Sequence, residues 1–355
     1  MRTEIRDASR LVVKIGSSSL THPGGHLDPA RIEALAAALA GLHHSGKRIV
    51  LVTSGAIAAA LGPLGLAKRP RDLETQQGAA AVGQGILIQH YAKAFSAHGV
   101  LVAQVLLTAG DLQDGRSYRN ALNTVSRLFR LGAIPIINEN DTVATGEIRF
   151  GDNDRLAALT SHLVRADALV ILSDVHGLYT AHPNEPGAEL IPRVHDVAQL
   201  SADTSRIGSR VGTGGMSSKV EAARIAASGG VAVVLAHADQ LAEVLAGEEL
   251  GTLFEARGRR RPRRLLWLAH AAEVAGELRI DAGAEGALAG HHASLLAAGV
   301  SDVIGDFEAG DPVDIRGGRG RLLARGLADC SARELRQRVT DGGLAVHRDL
   351  MIEMS

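Results

Sequence analysis

The chain has 355 residues, a formal net charge of −1, 46% hydrophobic residues and a single cysteine, Cys330. That length allows two domains and a large core, and the neutral balance provides no global field toward nucleic acid or an acidic membrane. One cysteine excludes an internal disulfide and suits a reducing, cytoplasmic setting. The opening MRTEIRDASR carries two acids and no long apolar run, so a secretory signal is not expected there. Aromatic residues are only 3%, so Ala, Leu and Val must make most of the core.

Residues 10–15, RLVVKI, read as a buried strand ending in Gly16-Ser17-Ser18-Ser19. Residues 29–45 have helical periodicity with Pro29 in the first turn. KRIVLV at 47–52 predicts a second strand, ending in Thr53-Ser54-Gly55-Ala56. The uncharged run 49–67 is long enough to raise the question of a membrane span. Its Thr53, Ser54, Gly55, Gly62, Pro63 and Gly65 favour strand, turn and short helix instead. A long helix is expected over 74–98, a third strand over 100–107 and a helix over 114–131. AIPII at 133–137 predicts a fourth strand, ending in Asn138-Glu139-Asn140-Asp141. Gly151-Asp152-Asn153-Asp154 then precedes a helix to about Arg165, and ALVIL at 168–172 ends in Ser173-Asp174. A sixth strand is expected over 231–235, after a glycine loop and a helix over 220–228.

Alternating strands and helices predict an α/β fold: a mostly parallel central sheet sandwiched by helices. Lys14-Ile15-Gly16, Thr53-Ser54-Gly55, Asn138–Asp141 and Ser173-Asp174 all fall at carboxyl ends of apolar strands. Ligands bind at that edge of open α/β sheets, so these ends together suggest one cleft.

The composition changes near residue 256. Six arginines occupy eight positions from Arg257 to Arg264, and short strand patterns with glycine turns follow: 277–280, 303–307, 312–315, 322–327 and 344–347. This predicts a small all-β domain. From residue 271 onward, 14 acids face nine arginines. The expected boundaries are 1–256 for the first domain, 257–274 for an Arg-rich linker and lead-in strand, and 275–353 for the second domain.

The segment 208–219, GSRVGTGGMSSK, places four glycines, followed by Ser217, Ser218 and Lys219, just before a helix. Glycines let backbone N–H groups turn toward an anion, a helix start adds free donors, and a lysine adds a mobile charge. It reads as a phosphate grip. Neither G-x-x-x-x-G-K-[ST] nor G-x-G-x-x-G occurs, the latter failing at both 208–219 and 78–85. Of 38 basic residues only five are lysines, and two of those, Lys14 and Lys219, adjoin glycine motifs. No histidine sits inside these strand-end motifs. A carboxylate acceptor suits such a cleft: with a usual pKa of about 4.3 it is already a nucleophile at neutral pH. Phosphoryl transfer to it needs positioning and charge neutralisation. Lys14 and Lys219 can bracket the phosphoryl group, while Asp152 and Asp154 can orient those lysines or hold Mg²⁺. Asp152 can equally serve as a helix N-cap.

VVKIGSSSL, IVLVTSGAIAAA, IPIINENDTVAT, GDNDRLAAL, ILSDVHGLYT and GTGGMSSK, in this order and spacing, resemble the amino-acid kinase family over about residues 1–255. GELRIDAGAEGAL, SLLAAGV, GDFEAGDPVDI and AVHRDLMI resemble a PUA domain. The combination resembles members that transfer phosphate from ATP, with Mg²⁺, to the γ-carboxylate of L-glutamate, giving L-glutamyl 5-phosphate and opening proline biosynthesis. The resemblance implies roles for particular residues. Lys14 and Lys219 would stabilise the transition state, and Asp154 with Asp152 would organise them and the metal, Asp154 as ligand. Ser54, Asp141 and Asn153 would hold glutamate. Lys14, Ser173, Asp174, Thr213, Gly214, Gly215, Met216, Ser217, Ser218 and Lys219 would hold ATP. It further implies feedback inhibition by L-proline, a homo-oligomer and contact with the next enzyme, glutamyl phosphate reductase. Ser17, Ser173 and Ser218 stand where the family often has threonine; each keeps its hydroxyl. Another carboxylate or carbamate kinase, or an inactive RNA-binding relative, are the competing readings. The acidic second domain favours regulation or assembly over RNA binding.

Overall fold

A computed structural model describes residues 1–22, 24–143, 153–197, 200, 215–256, 262–289, 293–337 and 343–354. Two compact units emerge: Met1–Leu112 with Arg116–Arg260, and Arg261–Ser355 with Gln113–Gly115.

In the larger unit the strands are β1 (Arg10–Ile15), β2 (Arg48–Thr53), β3 (Leu101–Leu107), β4 (Ala133–Glu139), β5 (Ala168–Ser173), β6 (Arg193–Val194), β7 (Ala232–His237) and β8 (Thr252–Phe254). Its helices are α1 (Thr3–Arg6), α2 (Pro29–His44), α3 (Ala56–Leu61), α4 (Leu73–Ser96), α5 (Ala109–Gln113), α6 (Gly115–Arg130), α7 (Asn153–Val164), α8 (Met216–Ser228) and α9 (Leu241–Ala246). The sheet order is β3-β4-β2-β1-β5-β7-β8-β6. The six strands from β3 to β7 run parallel, and β8 turns antiparallel against β7. The mostly parallel sheet expected from the apolar runs is therefore present.

Burial explains the pattern. Strands β1 and β5 lie mid-sheet and are covered on both faces, so they read as unbroken apolar runs. The run 49–67 divides into β2, a turn at Gly55 with φ of +107°, and α3. No described helix is long and apolar enough to cross a membrane. Helix starts follow local chemistry: Asp28 accepts from the amide of Ala30 ahead of Pro29, and Asp72 accepts from the amide of Thr75.

Chain direction across the sheet defines the cleft. From β1 the chain passes to β2 on one side; from β5 it passes by way of the edge strand β6 to β7 on the other. The divergence of these connections opens a crevice above the carboxyl ends of β1 and β5, where open α/β sheets take ligands. Helix α7 delivers its first turn to this edge. All its residues except Arg155 are buried, so its position is fixed by packing on every side.

The smaller unit holds a six-stranded sheet of β9 (Gly276–Ile280), β10 (Leu295–Leu296), β11 (Val300–Gly305), β12 (Pro312–Arg316), β13 (Leu322–Ala328) and β14 (Leu344–Glu353), ordered β10-β14-β13-β12-β9-β11. It also carries helices α10 (Arg263–His270), α11 (Ala282–Ala289) and α12 (Ala332–Gln337). Helix α10 corrects one expectation: the lead-in stretch before residue 275 is helical where a strand is expected. Pro262 is the N-cap of RRLLWLAH, whose residues lack strand alternation, and Leu266 and Leu268 are its buried side chains. Ala-rich AGAEGALA likewise forms α11 rather than a turn.

Candidate active site

The parallel strand ends converge on a cleft of about 870 Å³ whose walls include Ser54, Asp141, Asn153, Ser173 and Asp174. Five residues predicted from four separate stretches thus share one cavity. Asp152, Thr213 and Gly214 lie outside the described residues, as do the preceding loop and Arg257–Arg261.

Beside this cavity lies a buried ionic cluster. Lys14 points from β1, and its Nζ is 2.5 Å from Oδ1 of Asp154 in the first turn of α7. Lys219 approaches from α8, its Nζ 3.1 Å from Oδ2 of the same carboxylate. Relative exposure is 3% for Lys14, 0% for Asp154 and 8% for Lys219. Ser218 donates its hydroxyl to the carbonyl of Gly215 at 2.8 Å and reaches Asp154 Oδ2 at 3.3 Å. An acid in the first turn of a helix is favoured by the helix dipole, and here the same acid draws two lysines from different elements to one point.

Helix α8 begins at Met216, four residues earlier than its apolar periodicity suggests. Gly215 is an extended N-cap, so Met216-Ser217-Ser218-Lys219 forms the first turn rather than a loop. The start of that turn therefore presents helix N–H groups as well as side chains, while the Ser218 amide donates to the carbonyl of Gly215 at 3.2 Å. Ser173 closes β5 and donates its hydroxyl to Asp174 Oδ1 at 3.0 Å.

On the opposite side Asn153 is the organising residue. Its Nδ2 faces three acceptors: Thr53 O at 2.7 Å, Ser54 Oγ at 2.9 Å and Asn138 Oδ1 at 2.8 Å. A carbonyl can only accept, which fixes the orientation of the amide. Its other end, Oδ1, is buried without a hydrogen-bond partner among the described residues.

Two groups are not evident from the sequence. Strand β7 extends to His237, two residues past the predicted end, and places that histidine on the cleft wall near Asp174. Its ring stacks on His176, with centroids 4.7 Å apart and planes at 23°. No histidine lies inside the strand-end motifs read from the sequence, and His237 reaches the cleft from a further strand: in-sheet pairing of Ser173 with His237 continues β7 beyond its apolar core. Asn138, by contrast, lies within a recognised motif and is 2% exposed beneath the cleft. Its role emerges only from its contacts.

Fold and site define an α/β protein with a basic, carboxylate-organised cleft at a sheet switch point. The chain belongs to the amino acid kinase family, whose model matches residues 9–237, and a PUA domain matches residues 276–349. It is similar to a protein of Cutibacterium acnes named glutamate 5-kinase, 56% identical over 94% of this chain and 86% of that one. A glutamate 5-kinase of Streptomyces coelicolor is 54% identical over 94% of this chain and 90% of the relative. Among solved structures, carbamate kinase from Giardia lamblia bound to AMP-PNP matches with a TM-score of 0.53 at 16% identity, covering 70% of this chain and 99% of that one. This last likeness concerns the fold alone.

Proposed function

We propose that the chain is an ATP-dependent glutamate 5-kinase, transferring the γ-phosphoryl group of ATP to the side-chain carboxylate of L-glutamate. The observation that carries this reading is the meeting of Lys14 and Lys219 on the single carboxylate of Asp154 beside the strand-end cleft. The near-full-length likeness to the named glutamate 5-kinases supplies the acceptor.

A γ-carboxylate oxygen attacks the γ-phosphorus, the bond from that phosphorus to the β,γ-bridging oxygen breaks, and ADP leaves with the electron pair. The products are L-glutamyl 5-phosphate and ADP. The nucleophile carries no proton, so none has to be removed and His237 is not needed as a base. The chemistry requires charge stabilisation and alignment. Lys14 and Lys219 supply the charge, and Asp154 fixes where they sit. The first turn of α8, with Gly215, Met216, Ser217 and Ser218, holds nucleotide phosphates through its N–H groups together with Thr213 and Gly214. Ser173 and Asp174 hold the rest of the nucleotide. Ser54 and Asn153 face glutamate, and Asp141 pairs with its ammonium group.

Both oxygens of Asp154 face lysine ammonium groups, which disfavours the direct Mg²⁺ contact that the resemblance implies for it. We read Asp154 as the organiser of the lysines, with the metal carried by the triphosphate and water, as Mg²⁺ commonly is. Bound there, Mg²⁺ would neutralise phosphate charge.

L-Proline shares the α-carboxylate and an α-ammonium with glutamate, which favours feedback at the Asp141 end of the cleft. A labile acyl phosphate product favours handover to glutamyl phosphate reductase in the cytoplasm, and we read the enzyme as a homo-oligomer. For the PUA domain we favour regulation or assembly over RNA binding. Arg316 pairs with Glu277 at 2.8 Å, Arg325 with Asp314 at 2.8 Å and Arg279 with Glu277 at 3.0 Å, which neutralises these arginines within the domain. The boundaries 1–256, 257–274 and 275–353 remain our proposed division.

The test is an acyl-phosphate trap with hydroxylamine, ATP and Mg²⁺ against glutamate, aspartate, N-acetylglutamate and carbamate. Hydroxamate formation with glutamate at the highest kcat/KM is expected. Preference for another acceptor moves the reading within the family. Tight, salt-dependent RNA binding without turnover overturns it.

A further inference from the structure

Helix α4 is absent from the machinery described so far, yet it reaches that machinery at two points seven residues apart, on one helical face. Gln84 Oε1 accepts from Asn138 Nδ2 at 2.7 Å, and the Tyr91 hydroxyl lies 2.7 Å from Thr53 Oγ1. Asn138 and Thr53 are two of the three residues whose oxygens receive the amide of Asn153.

The amide orientations form a chain with one consistent solution. Asn153 must turn Nδ2 toward the carbonyl of Thr53. Asn138 must then turn Oδ1 toward Asn153, and that oxygen also accepts from the backbone amide of Glu139 at 2.9 Å. The Nδ2 of Asn138 is left pointing the other way, at 2% residue exposure. Gln84 is the acceptor that satisfies it. Without that acceptor a buried donor goes unpaired, and the amide of Asn138 loses the preference that keeps its oxygen toward Asn153. The buried, unpartnered Oδ1 of Asn153 depends on the same chain for its orientation.

The helix is held close enough to do this by the preceding residue. A Cβ at Gly83 would lie 1.7 Å from the carbonyl oxygen of Ala56, so α4 and α3 touch backbone to backbone there. Gln84 therefore extends from a fixed point, which is the condition for a positioning residue.

We propose that Gln84 is a positioning residue for the acceptor: acting through Asn138, it sets the amide of Asn153 that meets the acceptor substrate. This rests on the assignment of Ser54 and Asn153 to the acceptor side. The role predicts a selective effect. Loss of the Gln84 acceptor raises KM for the acceptor and leaves KM for ATP alone, because the nucleotide groups lie outside this hydrogen-bond chain.

The experiment compares Gln84→Leu, Gln84→Glu, Asn138→Ala and the double variant Gln84→Leu/Asn138→Ala by steady-state kinetics, with thermal unfolding in parallel. Gln84→Leu is expected to raise KM for glutamate about tenfold and to change KM for ATP less than twofold. Gln84→Glu keeps an acceptor oxygen and should recover most of the loss. The double variant should match Asn138→Ala, since residues acting through one another are not additive. An unchanged glutamate KM in Gln84→Leu overturns the proposal. So does an equal rise in both KM values, or additivity in the double variant. Glutamate turnover by the unaltered enzyme separately tests the acceptor assignment, so the two failures are distinct.

Discussion

The ammonium nitrogen of Lys14 lies 2.5 Å from Oδ1 of Asp154, one on a central strand and the other in the first turn of a buried helix. Lys219 takes the second oxygen of that carboxylate at 3.1 Å. Arginine cannot reproduce this geometry, because its guanidinium is longer, planar and less compact than an ammonium group. Lys14→Arg and Lys219→Arg are each expected to lower kcat at least about 100-fold, the scale of losing one aligned electrostatic group. Single-turnover rates at saturating ATP check this; near-normal rates would show that generic positive charge suffices.

Asp154→Asn preserves shape and removes the charge that gathers the lysines. Leaving buried charges without their partner costs about 3–5 kcal/mol, so the substitution should lower both kcat and the urea midpoint. Lys14→Met in the same chain removes one of the stranded charges. It should recover part of the midpoint without recovering activity, as urea titration and the hydroxamate assay together would report.

Gly83 permits α4 to meet α3. With a Cβ only 1.7 Å from Ala56 O, Gly83→Ala must push the helices apart, at a cost of about 1–3 kcal/mol or more. Gly85, two residues on, has open space where a Cβ would sit, with nothing within 4 Å. Gly85→Ala should therefore be neutral or slightly stabilising, since alanine favours helix. Thermal melts of the two variants provide an internal control.

Burial of His162 on α7 pushes its pKa down from 6.5 to about 4 through desolvation. The unfolded chain then binds a proton over this interval that the folded chain does not. Stability present above pH 6.5 is lost as pH falls toward 4, by a total of about 3 kcal/mol from this group. His162→Gln should flatten that part of the stability curve measured by denaturant titration between pH 4 and 7. Gly229 leaves room for the ring: a Cβ there would sit 2.4 Å from His162 Nε2. Gly229→Ala should accordingly destabilise the parent more than it destabilises a His162→Ala variant.

In the PUA domain, Asp314 accepts from Arg325 at 2.8 Å and from Arg316 at 3.4 Å while only 8% exposed. Hydrogen bonds to a charged group contribute about 1.5–3 kcal/mol, so Asp314→Asn should lower the unfolding temperature of this unit by several degrees. Trp267, the sole tryptophan, lies on α10 in the same unit, and its fluorescence provides the probe.

Much of the fold is legible in the sequence because local periodicity and burial agree. The runs RLVVKI and ALVIL are apolar on both faces, which only a central strand tolerates, and they form β1 and β5 with little change in their ends. Polar residues at the carboxyl ends of such strands gather at the ligand-binding edge, so Lys14, Ser54 and Ser173 are identifiable as one edge. Boundaries are less legible where polar residues continue an element. His237 extends β7 through pairing with Ser173, and Ser217-Ser218-Lys219 joins α8 through its first turn. Neither extension has an apolar signature. The helix α10 is hidden for a related reason, since an arginine-rich stretch reads as a linker and only packing shows that Leu266 and Leu268 become buried.

The sequence by itself determined the ordered strands, the polar strand ends, the scarcity of lysine and the motifs shared with amino-acid kinases, because each is set by neighbours along the chain. Only the tertiary structure decided that Asp154 divides its two oxygens between Lys14 and Lys219, and that Gln84 orients Asn138 beneath Asn153. Those contacts join residues from separate elements, at distances of 2.5–3.1 Å. Hydrogen bonds and ion pairs act at that range and depend on direction, so they exist only once packing has placed the elements that carry them.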